Sequence, residues 1–386
     1  MTDIDAMAMH WVDSDQELAR LCQHWQSLGL LALDTEFMRT STFYPKLGLL
    51  QIGDGDACYL IDPLAISAWQ PLLDLFDSND MTFIVHSAGE DLVLLYTSFG
   101  VLPRNLFDTQ LAAAFLGYGF SLSYQALVST ELSIEVEKDE TRSDWLQRPL
   151  SDAQLRYAAI DVRYLHGLYA SLSEQLQATP KYDWFVGECQ QLLDIAVQSE
   201  SSDLWAQSYR NVSNAWRLDQ AGLERLQRLC FWRETQARRR DKPRSWIAKD
   251  AELFAIAEHM KGDDFSTERL QQVRGVPTGL LKRQGERLLD FMLDPPAEVQ
   301  QAPATEVTPP LTPDQRNILK RCQSAARARA EQLDMAPELL ARKKQILGLL
   351  ESFSQNQELA WSGDMAGWRK QVLQADFEQA VRGNQA

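Results

Sequence analysis

Hydrophobic and polar positions along the first 165 residues follow two different periods, which predict strands and helices in alternation. Apolar runs at 31–37, 47–53, 57–61 and 81–86 are short and bounded by turn residues, as buried strands are. Segments 10–28, 92–99 and 151–165 repeat apolar residues at helical spacing instead, and Ser14 or Asp15 is the expected cap of the first helix. Strands that alternate with helices predict the α/β class.

The second half of the chain has a helical pattern. Residues 205–290 predict a helical domain whose expected core positions are Trp216, Leu218, Leu223, Leu226, Leu229 and Phe231. The Pro-rich stretch 294–313 predicts an extended linker without a helix, because proline interrupts helical hydrogen bonding. We therefore expect four segments, which are an α/β domain (1–200), a helical domain (205–293), the linker (294–313) and a second helical domain (314–386).

Two acids stand at the end of the first predicted strand. Asp34 and Glu36 are two positions apart, so strand geometry places both carboxylates on one face. Buried carboxylates favour a cationic partner, and a divalent metal ion supplies one. The alternative is a solvated strand end, and an isolated Asp-x-Glu favours that alternative unless further acids join it.

A third acid, Asp91, follows the strand 81–86 and lies in the first turn of the helix after it. If that strand lies beside the first one, Asp91 faces the same site. A favourable interaction with the helix dipole is the competing explanation. We interpret His86, at the end of the same strand, as a packed or substrate-side residue and not as a metal ligand.

The fourth acid, Asp161, lies on a helix whose start is well defined. Ser151 and Gln154 form a capping box, which fixes the helical register. Tyr157 and Asp161 are four residues apart and therefore share a face, one turn from each other. Tyr and Asp at this spacing occur on many helices, so the pair is informative only beside the other acids.

Charge divides the chain into unlike halves. Residues 1–200 contain 10 Lys and Arg against 29 Asp and Glu, a formal charge of -19, whereas residues 201–386 contain 28 against 25, or +3. An acidic half suits cation binding but repels phosphate, and a basic half attracts nucleic acid. Ordinary variation between domain surfaces is the alternative explanation.

The remaining composition predicts a reduced, cytoplasmic protein. The five cysteines are scattered without a Cys-x-x-Cys pair, which argues against disulfides and zinc knuckles. No apolar run approaches the roughly 20 residues of a membrane span, and the first residues lack the basic start of a signal peptide. We expect no membrane association and, in the absence of any sign of an obligate protein partner, a monomer.

Together the acid motifs resemble those of the DEDDy exonuclease family. The matching segments are Asp34-Thr-Glu36, His86-Ser-Ala-Gly-Glu-Asp91 and Tyr157-Ala-Ala-Ile-Asp161. Within that family the chain is most similar to the ribonuclease D group, through Asp34–Thr40, Tyr44–Gln51, Ile61–Leu64, Phe107–Thr109 and Asp144–Leu150. The resemblance covers about residues 10–175 and implies a ribonuclease H-like fold with a mixed sheet.

The resemblance also implies a chemistry. Asp34, Glu36, Asp91 and Asp161 would bind two divalent ions, and Tyr157 would orient the attacking water, with Glu36 also in a catalytic role. Oxygen-only ligands favour magnesium or manganese. The implied activity is 3'-5' exoribonuclease hydrolysis that releases 5'-mononucleotides, with precursor tRNA 3' ends as substrate. Alternatives are a proofreading-type DNA exonuclease and a non-catalytic nucleic-acid-binding protein.

The helical half resembles HRDC domains, the module shared with RecQ helicases, through Asn214–Trp216, Leu253–Ala257 and Leu270–Pro277. The second helical domain is similar mainly by its position in the chain. A basic cluster with an interleaved aromatic predicts an RNA-backbone contact, and its members are Arg238, Arg239, Arg240, Lys242 and Arg244. A solvated helix end, with cations on the helix dipole, is the alternative.

Overall fold

A mixed sheet of six strands forms the centre of the N-terminal part of the chain. The computed structural model describes residues 8–136, 143–261, 266–356 and 358–383. The strands are β1 (Ala8–Val12), β2 (Leu30–Met38), β3 (Lys46–Gly53), β4 (Ala57–Ile61), β5 (Thr82–Val85) and β6 (Asn105–Asp108). Their order is β1-β4-β3-β2-β5-β6. Strand β2 pairs antiparallel with β3 and parallel with β5, so the predicted α/β class and mixed sheet are confirmed.

Eight helices of the described residues accompany this sheet. They are α1 (Asp15–Trp25), α2 (Gln70–Phe76), α3 (Gly89–Phe99), α4 (Thr109–Phe115), α5 (Tyr124–Leu132), α6 (Asp152–Arg163), α7 (Leu165–Gln177) and α8 (Tyr182–Gln198). Ser151 and Gln154 form the predicted capping box at the start of α6. The buried face of α6 carries Ala158 and Val162, both without exposed surface, and this packing fixes which way its other face points.

Residues Arg39–Pro45 and the described part of Val197–Pro310 form a compact helical unit. Its helices are α9 (Ser202–Ala206), α10 (Gln220–Arg240), α11 (Arg244–Ile247), α12 (Asp250–His259), α13 (Thr267–Gln271), α14 (Thr278–Leu293) and α15 (Ala297–Gln301). Short 3-10 turns lie at Ser208–Asn211 and Ala215–Arg217. The long helix α10 crosses the core of this unit and buries Leu223, Leu226 and Leu229 as predicted.

The C-terminal helices belong to the same compact unit as the sheet. They are α16 (Pro313–Gln332), α17 (Pro337–Leu340), α18 (Lys343–Asn356) and α19 (Trp368–Arg382), with a 3-10 turn at Gly363–Met365. Lys181 Nζ donates to the carbonyl oxygen of Asp334 at 2.7 Å, and Arg369 forms a buried ion pair with Glu188. The indole rings of Trp184 and Trp368 stack 4.9 Å apart. The boundaries proposed at 200, 293 and 313 remain predictions.

Two expectations for the N-terminal helix and the linker were wrong. The helix begins after its predicted cap Ser14, but residues 10–12 of the segment with helical spacing belong to β1. This edge strand buries little of its surface, so it has no clear alternation of polar and apolar residues. The Pro-rich stretch contains α15, because Pro296 is compatible with a helix start and six residues free of proline follow it.

One predicted core residue was also wrong. Trp216 is 40% exposed, and its neighbour Ala215 is buried instead. Ala215 begins a 3-10 turn, which rotates successive side chains differently from the α-helix that the pattern predicted. The five cysteines are free and buried, as expected. No helix within the described residues is both long and apolar enough to cross a membrane.

Candidate active site

Three of the four predicted acids come together at the end of β2. Carboxylate oxygens of Asp34, Glu36 and Asp161 lie within 4.8 Å of one another. Strand β2 supplies the first two on one face, and α6 carries the third across that face. The arrangement follows from the two local periods, because residues two apart share a strand face and α6 is held over the sheet by its buried stripe.

The fourth acid, Asp91, lies in the first turn of α3, as predicted. Its carboxylate accepts a hydrogen bond from the hydroxyl of Thr35, the residue between the two acids of β2. Parallel pairing of β5 with β2 brings α3 to this position. Burial and then the charge of Asp91 raise the pKa of Asp34, so the Asp91 carboxylate lies near enough to act electrostatically on the cluster.

The electrostatics of the cluster are those of crowded, buried carboxylates. Burial, followed by the charges of Asp161 and Asp91, raises the pKa of Glu36 to about 8. Burial also raises the pKa of Asp161 to about 7 and that of Asp91 to about 6, and it raises the pKa of Asp34 well above the ordinary value. A cation bound among these oxygens would favour the charged forms.

The donor set fits hard divalent cations. The clustered ligand atoms are all carboxylate oxygens, and neither His nor Cys belongs to the cluster in the described residues. Zinc sites usually contain His or Cys, whereas magnesium and manganese prefer oxygen ligands. Gln51, the cross-strand partner of Asp34, adds a fully buried amide whose Oε1 and Nε2 have no hydrogen-bond partner among the described protein atoms. The site therefore suits a metal ion of the predicted kind.

Tyr157 lies one helical turn before Asp161, with its hydroxyl hydrogen-bonded to the Asp161 carboxylate. Burial and then the charge of Asp161 raise the pKa of the phenol, so it stays protonated at neutral pH. Its ring lies 6.1 Å from that of Trp145. A protonated phenol beside the acids can hold a water molecule by hydrogen bonding, which agrees with the predicted orienting role.

His86 is packed among protein groups. Its Nε2 lies 3.1 Å from the carbonyl oxygen of Leu122, which can only accept, and its Nδ1 lies 2.9 Å from the hydroxyl of Thr109. Burial lowers the pKa of the imidazole. The Thr109 hydroxyl also donates to the Val85 carbonyl oxygen at 2.9 Å, so its one proton is shared between Val85 and His86. Both ring nitrogens are therefore occupied, and the interpretation of His86 as a packed residue is consistent with the structure.

Some supporting residues were not predicted from the sequence. The Asp108 carboxylate accepts hydrogen bonds from the backbone N–H groups of Ser87 and Ala88, just before α3, and from two at the start of α4. Asp108 thereby fixes where the helix with Asp91 begins. Its only sequence signal was the Phe107–Thr109 motif. The motif could not be linked to Asp91 from the sequence, because Asp108 lies about 20 residues after the N–H groups that it holds before α3.

The basic cluster in the helical unit is divided in two by the structure. Arg238 is not available for RNA, because its side chain is only 8% exposed and forms ion pairs with Glu200 and Glu234. Its guanidinium also stacks on the rings of Phe43 and Trp205. Arg244 forms an ion pair with Glu234 as well and is half-exposed. The remaining cations of the cluster, Arg239, Arg240 and Lys242, are exposed.

Comparison with known proteins gives the site its context. A family model described as 3'-5' exonuclease matches residues 9–177, and one for the HRDC domain matches residues 222–291. Ribonuclease D of Pseudomonas paraeruginosa is 37% identical over 371 residues, which cover 96% of each chain. Ribonuclease D of Escherichia coli strain K12 is 32% identical over 384 residues and covers 95% of this chain and 96% of its own.

A solved structure extends this similarity to the fold. The crystal structure of Escherichia coli RNase D, described as an exoribonuclease involved in structured RNA processing, aligns with a TM-score of 0.84 at 31% identity. The alignment covers 97% of this chain and 99% of that one. The sheet domain is thus ribonuclease H-like and is followed by an HRDC domain. The chain belongs to the ribonuclease D family and is a 3'-5' exoribonuclease.

Proposed function

We propose that this exoribonuclease works with two divalent cations, magnesium or manganese, and that its substrates include the 3' ends of precursor tRNA. The observation that carries the metal proposal is the cluster of Asp34, Glu36 and Asp161 within 4.8 Å, with Asp91 acting on it. When bound, two cations would activate the attacking water and stabilise the departing 3' oxygen.

The protein's own residues divide the remaining work. Asp34, Glu36 and Asp161 would hold the cations, and Asp91 would complete the ligand set from α3. Tyr157 would keep its proton and orient the attacking water by a hydrogen bond. The pKa of the attacking water would be lowered by the bound cations so that its proton can leave to solvent, and the chain would then need no separate general base.

Acid variants test this assignment. We expect Asp34→Ala, Asp91→Ala or Asp161→Ala to reduce cleavage of 3'-extended tRNA below detection, because each removes a charge that positions the cations. RNA binding should survive. The control is Asp152→Asn, which removes an exposed acid of α6 outside the cluster. An acid-cluster variant that turned over at nearly the wild-type rate with its fold intact would refute the two-metal assignment.

Substrate and metal are tested in the same reactions. The purified wild-type protein is incubated with 3'-extended tRNA, unstructured RNA and matched DNA, in magnesium, manganese or chelator. We expect 5'-mononucleotides from RNA with either metal and no products with chelator. Equal rates on unstructured RNA and on the tRNA precursor would argue against tRNA 3' ends as the preferred substrate.

We further propose that Arg239, Arg240 and Lys242 contact the RNA backbone. Burial and the nearby charges of Arg287, Arg239 and Arg283 lower the pKa of Arg240, which indicates a concentration of positive charge at the end of α10. The half of the chain with the acids carries -19, so attraction for a polyanion must come from such a surface. This set omits Arg238 and Arg244, which form ion pairs with Glu234.

A salt series tests the contact. Each phosphate contact contributes roughly 0.7 to the slope of log affinity against log salt for single strands, so Arg239, Arg240, Lys242→Ala should flatten the slope by about two units. A parallel triple in the C-terminal helices, Arg342, Lys343, Lys344→Ala, tests the competing surface. If only this second triple changes the slope, the cluster at the end of α10 is a solvated helix end.

A further inference from the structure

Helix α6 is interrupted beside Asp161 by a side chain from another helix. In an uninterrupted α-helix the backbone N–H of Tyr164 would donate to the carbonyl oxygen of Ile160, four residues earlier. Here the Tyr164 N–H, which also contacts the Val162 carbonyl oxygen, donates to the hydroxyl of Tyr124 at 3.1 Å, and this hydroxyl donates to the Ile160 carbonyl at 2.7 Å. A phenol is thus inserted into one rung of the helix, and α6 ends at Arg163.

This insertion is next to a residue of the acid cluster. Ile160 precedes Asp161, so the Ile160 carbonyl belongs to the peptide group that places the Asp161 Cα. Inserted side chains are among the known causes of helix kinks. The hydroxyl of Tyr124 therefore sets the backbone direction at the point where the Asp161 carboxylate leaves the helix.

Tyr124 is itself firmly held. It is buried at the first position of α5, where the Ser123 hydroxyl caps the helix. Its ring packs edge-on against the imidazole of His86, with the ring centroids 5.6 Å apart. His86 directly follows β5 and lies three residues before the helix that carries Asp91. One buried ring thus contacts the strand end that leads to Asp91 and the helix that carries Asp161.

We propose that Tyr124 is a positioning residue for the acid cluster, whose hydroxyl holds Asp161 in the orientation that binds the divalent cations. The inference rests on the proposed metal function of the cluster. Tyr124 touches neither substrate nor metal in this role and acts only through the Ile160 and Tyr164 backbone. A simple packing role would require the ring but not the hydroxyl.

Tyr124→Phe separates the two roles, because it keeps the ring and removes the hydroxyl. Without the hydroxyl, Ile160 and Tyr164 can pair directly, which would straighten the helix and rotate Asp161. Loss of a group that orients a metal ligand typically costs about 10- to 100-fold in metal affinity or activity. We expect weaker manganese binding and lower kcat by that factor, with an unchanged KM for RNA.

The measurements are calorimetric titration of manganese into the RNA-free protein, steady-state kinetics and thermal unfolding. Tyr118→Phe is the matched control, because it also removes a phenol that donates a hydrogen bond, here to Gln175, at a place away from the acids. The control should bind manganese as the wild type does. If wild type itself bound no manganese, the proposed metal function would fail; if Tyr124→Phe bound it as tightly as wild type, only the role of Tyr124 would fail.

A second variant tests the inference if Tyr124→Phe does not fold. Tyr124→4-aminophenylalanine retains a donor for the Ile160 carbonyl at the same place on the ring. We expect it to recover most of the manganese affinity lost in Tyr124→Phe. If the phenylalanine variant does not fold, a folded amino variant with wild-type affinity still supports the inference. A folded amino variant with affinity reduced at least tenfold would overturn it.

Discussion

Gly48→Ala tests how the packing behind Tyr157 supports catalysis. A Cβ at residue 48 would lie 2.6 Å from the Trp145 Cβ and 2.7 Å from the Trp145 carbonyl oxygen. Carbon atoms in favourable contact are about 3.5–4.0 Å apart, so one backbone would have to move by about 1 Å. Neither obstacle is the end of a flexible side chain.

The surrounding hydrogen bonds oppose that movement. Arg148 donates to the carbonyl oxygen of Gly48 at 2.7 Å and to that of Trp145 at 2.9 Å, and it forms an ion pair with Asp62. Overpacking of this kind costs about 1–3 kcal/mol of the free energy of unfolding. The Trp145 ring contacts the ring of Tyr157, so a shift of about 1 Å should also slow single-turnover cleavage by about 10- to 100-fold.

The assay compares urea unfolding and single-turnover rates of wild type and Gly48→Ala under conditions where both are folded. Gly187→Ala is the matched control, because residue 187 is exposed in α8 and an added Cβ there meets no atom within 4 Å. The free energy of unfolding of the control should rise by about 0.5–1 kcal/mol, which is the ordinary difference between Gly and Ala in a helix. If Gly48→Ala unfolded at the wild-type urea concentration and cleaved at the wild-type rate, the packing argument would be wrong.

Two further predictions concern Tyr157 and the ion pairs of the helical unit. Tyr157→Phe should lower the single-turnover rate by about 10- to 100-fold without abolishing it, because the phenol orients a water that the metals activate; a wild-type rate would remove Tyr157 from the mechanism. Glu234→Gln should lower the free energy of unfolding by about 3 kcal/mol at pH 7, because it leaves the buried Arg238 without one partner. Burial alone would raise the pKa of Glu234, but hydrogen bonds from Arg244 and Arg238 hold it below its ordinary 4.5. The stabilisation is therefore present above pH 4.5, and the difference between variant and wild type should shrink as pH falls through the lowered pKa; a difference that stayed constant down to that pH would contradict the assignment.

The side-chain positions that could be predicted from the sequence were those determined within a single strand or helix. Asp34 and Glu36 share a face because a strand repeats every two residues, and Tyr157 and Asp161 share one because a helix repeats every 3.6. The capping box at Ser151 fixed the register of α6 for the same local reason. Nothing distant in the chain was needed to place these side chains.

Contacts between elements were missed because their sequence separation is large and variable. Tyr124 lies 36 residues before Ile160, and Asp108 lies 20 residues after Ala88. Tyr124 has no neighbour in sequence that marks it as part of an active site, and the Phe107–Thr109 motif does not show which helix Asp108 holds. Their roles follow from strand pairing and helix packing, which bring α3, α5 and α6 to one end of the sheet.

The basic cluster shows why a count of charges differs from the charge that a partner meets. Glu234 precedes Arg238 by four residues, which is the spacing of a helical ion pair, so the sequence did contain a local sign that Arg238 is neutralised. Arg239 and Arg240 come one and two residues later and therefore point away from Glu234. A polyanion is attracted by cations whose charge is not already neutralised by a protein carboxylate. Arg239, Arg240 and Lys242 are such cations, so we expect them to set how steeply RNA affinity falls with salt.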